Sequence, residues 1–167
     1  MTTADDDELL VLDVEPGAFG FFAWKNLTIV VWTGPATPSH VARLKTASDG
    51  VRGRYPTGGS SIHIVHPSSK LPDAQARESL VRLQDEYSDW LAGVGIVVGG
   101  GGFWASTLRS VITAMRLASK RAFEMRIHAE VEEVIAWLPA AHEKRNGVVL
   151  DPVRLLEIVR QANTAAG

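Results

Sequence analysis

Short aliphatic and aromatic runs alternate along the chain with longer stretches whose apolar residues recur every three or four positions. Near the start, Leu9-Leu10-Val11-Leu12 and Gly20-Phe21-Phe22-Ala23-Trp24 flank a Glu15-Pro16-Gly17 turn, and Thr28-Ile29-Val30-Val31-Trp32 follows. Their β-branched and aromatic content predicts an N-terminal antiparallel hairpin or meander. Gly34, Pro35 and Pro38 stop that pattern. Ser39 or Thr37 then caps a helix carrying Val41, Leu44, Ala47 and Val51, which ends at Gly53 and the Tyr55-Pro56-Thr57-Gly58-Gly59 segment. Ser61-Ile62-His63-Ile64-Val65-His66 reads as a short strand closed by Pro67.

Pro72-Asp73 opens the clearest helix, with Ala76, Leu80, Leu83, Tyr87 and Trp90 on one face. Val94-Gly95-Ile96-Val97-Val98 is apolar without alternation, the pattern of a strand covered on both sides. Four glycines lead into a helix striped by Trp104, Leu108, Val111, Met115 and Ala118. Glu124-Met125-Arg126-Ile127-His128 predicts the last strand, and Val131, Val134, Ile135 and Leu138 the helix after it. After Pro139 a polar link (His142 to Gly147) precedes a terminal helix, capped by Asp151-Pro152 and bearing Val153, Leu156 and Val159. Its apolar side must cover either its own domain or a second copy, which would make a homodimer.

The order predicts an α/β fold: a mostly parallel mixed sheet of about five strands, an antiparallel N-terminal edge pair, βα crossovers and an extra C-terminal helix. Residues 1–8 read as a disordered acidic tail, 9–139 as a single domain, and 140–167 as a linker and helix.

Composition narrows the function classes. Seventeen Lys and Arg against nineteen Asp and Glu leave a net charge of −2 over 167 residues, a balance unsuited to a nucleic-acid surface. With no cysteine there is no disulfide framework, thiolate zinc site or cysteine nucleophile. The acidic start lacks the basic and apolar regions of a secretory signal, and no run is long enough to span a bilayer, so a cytoplasmic protein is expected.

Two segments carry a family resemblance. One is Val94-Gly95-Ile96-Val97-Val98 followed by Gly102-Phe103-Trp104-Ala105-Ser106-Thr107-Leu108-Arg109; the other runs from Met125-Arg126-Ile127-His128 through Glu132-Glu133 to Ala136-Trp137-Leu138. With the element order they resemble the STAS family of sulfate-transporter and anti-sigma-factor-antagonist domains, which has the SpoIIAA-like fold, and within it the STAS/SEC14-like group. The resemblance covers residues 94–138 by motif and extends to about residue 9 by element order. It implies a non-enzymatic regulatory module that docks on a protein partner through a helix face and adjacent loops; the SEC14 side implies a lipid-like ligand. Phosphorylated members carry an Asp-Ser-Ser/Thr-Gly turn after the third strand. The matching loop here is Pro67-Ser68-Ser69-Lys70-Leu71-Pro72-Asp73, which offers Ser68 and Ser69 for phosphorylation but lacks the preceding acid and the following glycine.

Gly99, Gly100, Gly101 and Gly102 form the most distinctive local feature. Glycines let a ligand approach the backbone, and the following helix presents free N–H groups to an anion. Ser106, Thr107 and Arg109 could add donors, so the alternative function is a binder of a small anionic or amphipathic ligand at this turn. The competing reading is a flexible turn that packs strand tightly on helix. There is no P-loop Lys-Ser/Thr and no Rossmann fingerprint.

His63 and His66, three apart in a strand, face opposite ways and do not chelate one metal; no metal site or cofactor is expected. His40 and His142 read as surface residues. No Gly-x-Ser-x-Gly elbow is present, and Glu132-Glu133 suits a solvated helix start. Arg109, Arg116, Lys120 and Arg121 mark a solvated or acid-docking helix face. Trp90, Trp104 and Trp137 are assigned to the core, while Trp24 and Trp32 in the edge hairpin could anchor a partner.

Overall fold

A computed structural model describes residues 7–119 and 122–167; the first six residues of the acidic tail, and Lys120 and Arg121 of the basic face, lie outside them. Six strands form one sheet in the order of the chain: β1 (Leu10–Glu15), β2 (Phe19–Trp24), β3 (Leu27–Trp32), β4 (Gly59–Val65), β5 (Leu91–Val98) and β6 (Glu124–His128). The first three run antiparallel as a meander, and β3 to β6 are parallel. The sheet thus has six strands where about five were expected, because the N-terminal runs form three strands instead of a pair. Gly17, at φ +76°, turns β1 into β2.

Three crossover helices, α1 (Pro38–Arg54), α2 (Ala74–Glu86) and α3 (Gly102–Ala118), lie side by side over one face of the sheet. Two begin at side-chain caps: Thr37 accepts from the His40 amide and Asp73 from the Ala76 amide. The helix expected after β6 breaks into α4 (Val131–Ile135) and α5 (Leu138–Asn146). The polar segment after Pro139 is therefore helical and not a link, and Gly147 (φ +70°) ends it in the left-handed conformation.

Helix α6 (Pro152–Ala166), capped by Asp151, is no appendage. Leu155, Ile158, Val159, Ala162 and Ala166 are buried, and the helix lies on β2 and β3 of its own domain. With α4 and α5 it covers the second face around Phe22, Trp24, Ile29, Ile62 and Val97. Of the expected Val153, Leu156 and Val159, Val159 is buried, Leu156 is half-buried and Val153 is exposed. Likewise α3 turns Ala105, Leu108 and Ile112 inward, while Trp104, Val111 and Met115 are half-buried and Ala118 is exposed.

Strand β5 is buried along its whole length, as its unbroken apolar run predicts. Its two faces are unequal. Gly93 and Gly95 present no side chain to α4 and α5; a Cβ at Gly95 would overlap the Val134 side chain, and one at Gly93 would come 2.9 Å from Leu138 Cδ1. On the crossover side the same strand carries Val94, Ile96 and Val98.

Candidate functional site

The space between the sheet and the crossover helices is not filled. Successive residues of β4 alternate between faces, so Ile62 and Ile64 go to the α4–α6 side while Ser61, His63 and Val65 face α1–α3. Small polar groups thus stand where large apolar ones would fill the layer: Thr28 Oγ1 donates to Ser61 Oγ at 2.9 Å beneath the helices. Helix α2 packs on α1 and α3 more than on the strands, and Leu80 and Leu83, expected in the core, are only half-buried.

Two adjoining chambers result. The larger, about 630 Å³ including its open mouth, is lined by Trp32, His63, Ile96 and Met125 from the sheet and by Leu80, Gln84, Leu108, Ile112 and Met115 from α2 and α3. The second, about 480 Å³, runs toward Thr28, Ser61, Leu83, Tyr87 and Trp90. His63, Leu80 and Gln84 line both. A mostly apolar lining with a few placed polar groups is the make-up of small-molecule sites.

The polar groups here are specific. Trp32 Nε1 donates to His63 Nδ1 at 3.3 Å, which places the proton of a neutral imidazole on Nε2. Among the described residues Nε2 has no hydrogen-bond partner. Burial pushes the His63 pKa down to about 4, so the ring is neutral at pH 7. Gln84 Oε1 is sealed from solvent and also unpartnered, an arrangement that costs free energy unless something fills it. Exposed Lys70 is the one charged residue lining either chamber among the described residues.

The glycine turn does not line this cavity. Gly100 (φ +81°) and Gly102 (φ +85°) need the left-handed conformation, but a Cβ at Gly101 or Gly102 would meet nothing within 4 Å. The four glycines shape the turn; they do not mediate tight strand–helix packing. Gly101 caps α3 without a side-chain hydrogen bond. Of the polar residues expected to help, Arg109 reaches the foot of the turn, its Nη2 donating to the Val98 carbonyl at 3.0 Å, while Thr107 Oγ1 turns back to that of Phe103 at 2.8 Å. Ser106 is exposed, its carbonyl accepting from Ser110 Oγ. In the loop after β4, Ser69 is buried and donates to the Gly34 carbonyl at 2.8 Å, while Ser68 is exposed.

A second polar cluster escaped the sequence reading. His142, expected at the surface, is fully buried on the opposite face of the sheet. Its Nδ1 lies 2.7 Å from Ser60 Oγ and its Nε2 2.8 Å from Asn26 Oδ1, and Asn26 Nδ2 donates to the Gly58 carbonyl at 2.8 Å. The Asn26 acceptor puts the His142 proton on Nε2, so the serine hydroxyl donates to Nδ1. Burial, helped by Lys25, lowers the His142 pKa to about 4. The trio has the residue types of a nucleophilic triad, yet Ser60 and His142 are sealed from solvent. It is a structural key that fastens α5 to the start of β4. No local pattern announces it, since Asn26 and His142 lie 116 residues apart.

The remaining expectations resolve individually. His40 is half-buried, its ring edge-on to Phe19 at 5.0 Å. Trp24 and Trp32 are buried within the sheet, because β2 and β3 are interior strands, and neither is available as an anchor. His66 bonds Asn163 of α6, and His128 lies between Glu133 and Trp137. Among the described residues no group of three or more His, Cys, Asp or Glu could hold a metal ion, and no helix is long and apolar enough to cross a membrane. No family model matches the chain, and no curated protein does.

Proposed function

We propose that this protein is a non-enzymatic binding module of STAS-like kind whose ligand is a small amphipathic molecule held between the sheet and helices α2 and α3. The observation that carries this reading is a mostly apolar cavity lined from facing elements by His63 and by Gln84, whose Oε1 is buried without a partner. The Ser60–His142 pair, sealed behind the sheet, contributes nothing to a reaction in that cavity. The ligand site expected at Gly99, Gly100, Gly101 and Gly102 moves in this reading to the cavity beneath α3.

Titrating isotope-labelled protein with the neutral amphipathic dye N-phenyl-1-naphthylamine tests it. Saturable binding, with amide shifts centred on Leu80, Gln84, Ile112 and Met125, is expected. Non-saturable binding, or shifts spread over the surface, would sink the reading.

A second reading, docking on a protein partner, is favoured by the outer side of α3. Phe103 and Leu117 are 89% and 82% exposed, and between them the Thr107, Ser110 and Thr113 hydroxyls turn back onto the helix's own carbonyls. That leaves an outward face poor in free polar groups on the helix that walls the cavity. A Phe103→Ser/Leu117→Ser double variant should keep its melting temperature and dye binding while losing a stoichiometric partner captured by the wild type. Retention of that partner would rule out this face.

A further inference from the structure

We infer that the cavity selects a neutral ligand, one whose single hydroxyl or carboxamide hydrogen-bonds to His63 Nε2 and Gln84 Oε1 while its hydrocarbon body lies along Leu108, Ile112 and Met115. This rests on the cavity reading above and specifies the chemistry it takes.

The two polar groups come from facing elements, His63 from β4 and Gln84 from α2, and both border the two chambers. They are complementary in kind. His63 Nδ1 is occupied by the Trp32 indole, so its free nitrogen donates; Gln84 offers an oxygen sealed from solvent with no donor. A hydroxyl accepts from the first and donates to the second, and a carboxamide does the same with its carbonyl and N–H. A carboxylate has no proton for Gln84, and its charge would face that oxygen's lone pairs. An ammonium finds no anionic group, since Lys70 at the rim is the one charged lining residue among those described. The walls beyond are methyl, methylene and thioether groups.

The full chain is titrated at pH 7 with 1-octanol, octanamide and sodium octanoate, followed by the Gln84 side-chain amide and His63 ring resonances. Octanol and octanamide should bind at one site and move both signals, with octanoate at least about tenfold weaker. Gln84→Leu should weaken octanol binding about fivefold, the worth of one neutral hydrogen bond, and yet raise the melting temperature of the free protein by removing the unpartnered oxygen. If Gln84→Leu does not fold, His63→Leu gives the same binding readout. Tightest binding of octanoate, weakened by Lys70→Ala, would overturn neutral selection and leave the cavity reading standing. Equal affinity for all three probes, indifferent to Gln84→Leu, would do the same. Absence of saturable binding by any probe would bring down both.

Discussion

The two faces of the sheet are covered by three helices each, but they are built differently. On the α4–α6 side, large side chains from β2 and β3 meet a helix with five buried residues, and β5 contributes glycines that let Val134 and Leu138 approach its backbone. Its buried Asn26, Ser60 and His142 bond one another, although Trp24 Nε1 and Asn146 Oδ1 on the same side have no partner. On the α1–α3 side, α2 buries only Ala76 within its span, and Thr28, Ser61 and His63 stand on β3 and β4 where large apolar side chains would fill the layer. One face is packed for stability. The other gives up packing, a pattern that natural proteins tolerate where something is to be bound.

The sharpest way to break this contrast is to add volume to each side. Gly95→Leu forces a side chain into Val134 and should cost about 3 kcal/mol or prevent folding, by the usual penalty of an overpacked core. Leu80→Phe, lining both chambers, should instead raise stability by about 0.5–1 kcal/mol while blocking dye binding. Denaturant titration measures both, and equal losses would dissolve the distinction. Removing volume should show the same asymmetry. Ile158→Ala, at a fully buried position, is expected to cost about 3 kcal/mol, and Leu80→Ala under about 1 kcal/mol.

Acid probes both sides together. His63 and His142 have folded pKa values near 4, against 6.5 as the ordinary value. Between those limits the unfolded chain binds more protons, so their stabilising contribution is complete above pH 6.5 and is lost as pH falls toward 4. The shift corresponds to on the order of 3 kcal/mol for each histidine. His63→Leu should remove about half of the acid sensitivity, measured as melting temperature against pH. An unchanged profile would show that the cavity side hydrates the imidazole. Smallest of all, Phe103→Ser should change stability by less than about 0.5 kcal/mol, since its ring is already in solvent.

What the sequence made legible was local. Strand runs, the Thr37, Asp73 and Asp151 caps and the fully covered β5 follow from neighbours a few residues apart. The faces of α3 and α6 were harder: apolar residues at 104, 105, 108, 111 and 112 allow more than one stripe, and tertiary packing chooses. His142 read as polar and exposed because its partners, Ser60 and Asn26, lie far off in the chain. The cavity left the faintest trace. Leu80 and Leu83 sit at core spacing whether or not anything fills the space beneath them, and the useful clue was Ser61 and His63 alternating with Ile62 and Ile64 in an otherwise apolar strand.

The sequential strand order bears on assembly. Each strand pairs with the one synthesised just before it, so the sheet can grow by accretion as the polypeptide leaves the ribosome, with short loop closures at every step. Helix α6 is the exception, following all six strands in the chain and resting on β2 and β3. Nascent chains therefore carry a bare aliphatic wall until residues 152–166 arrive, and removing that helix should send the protein toward chaperones or aggregates.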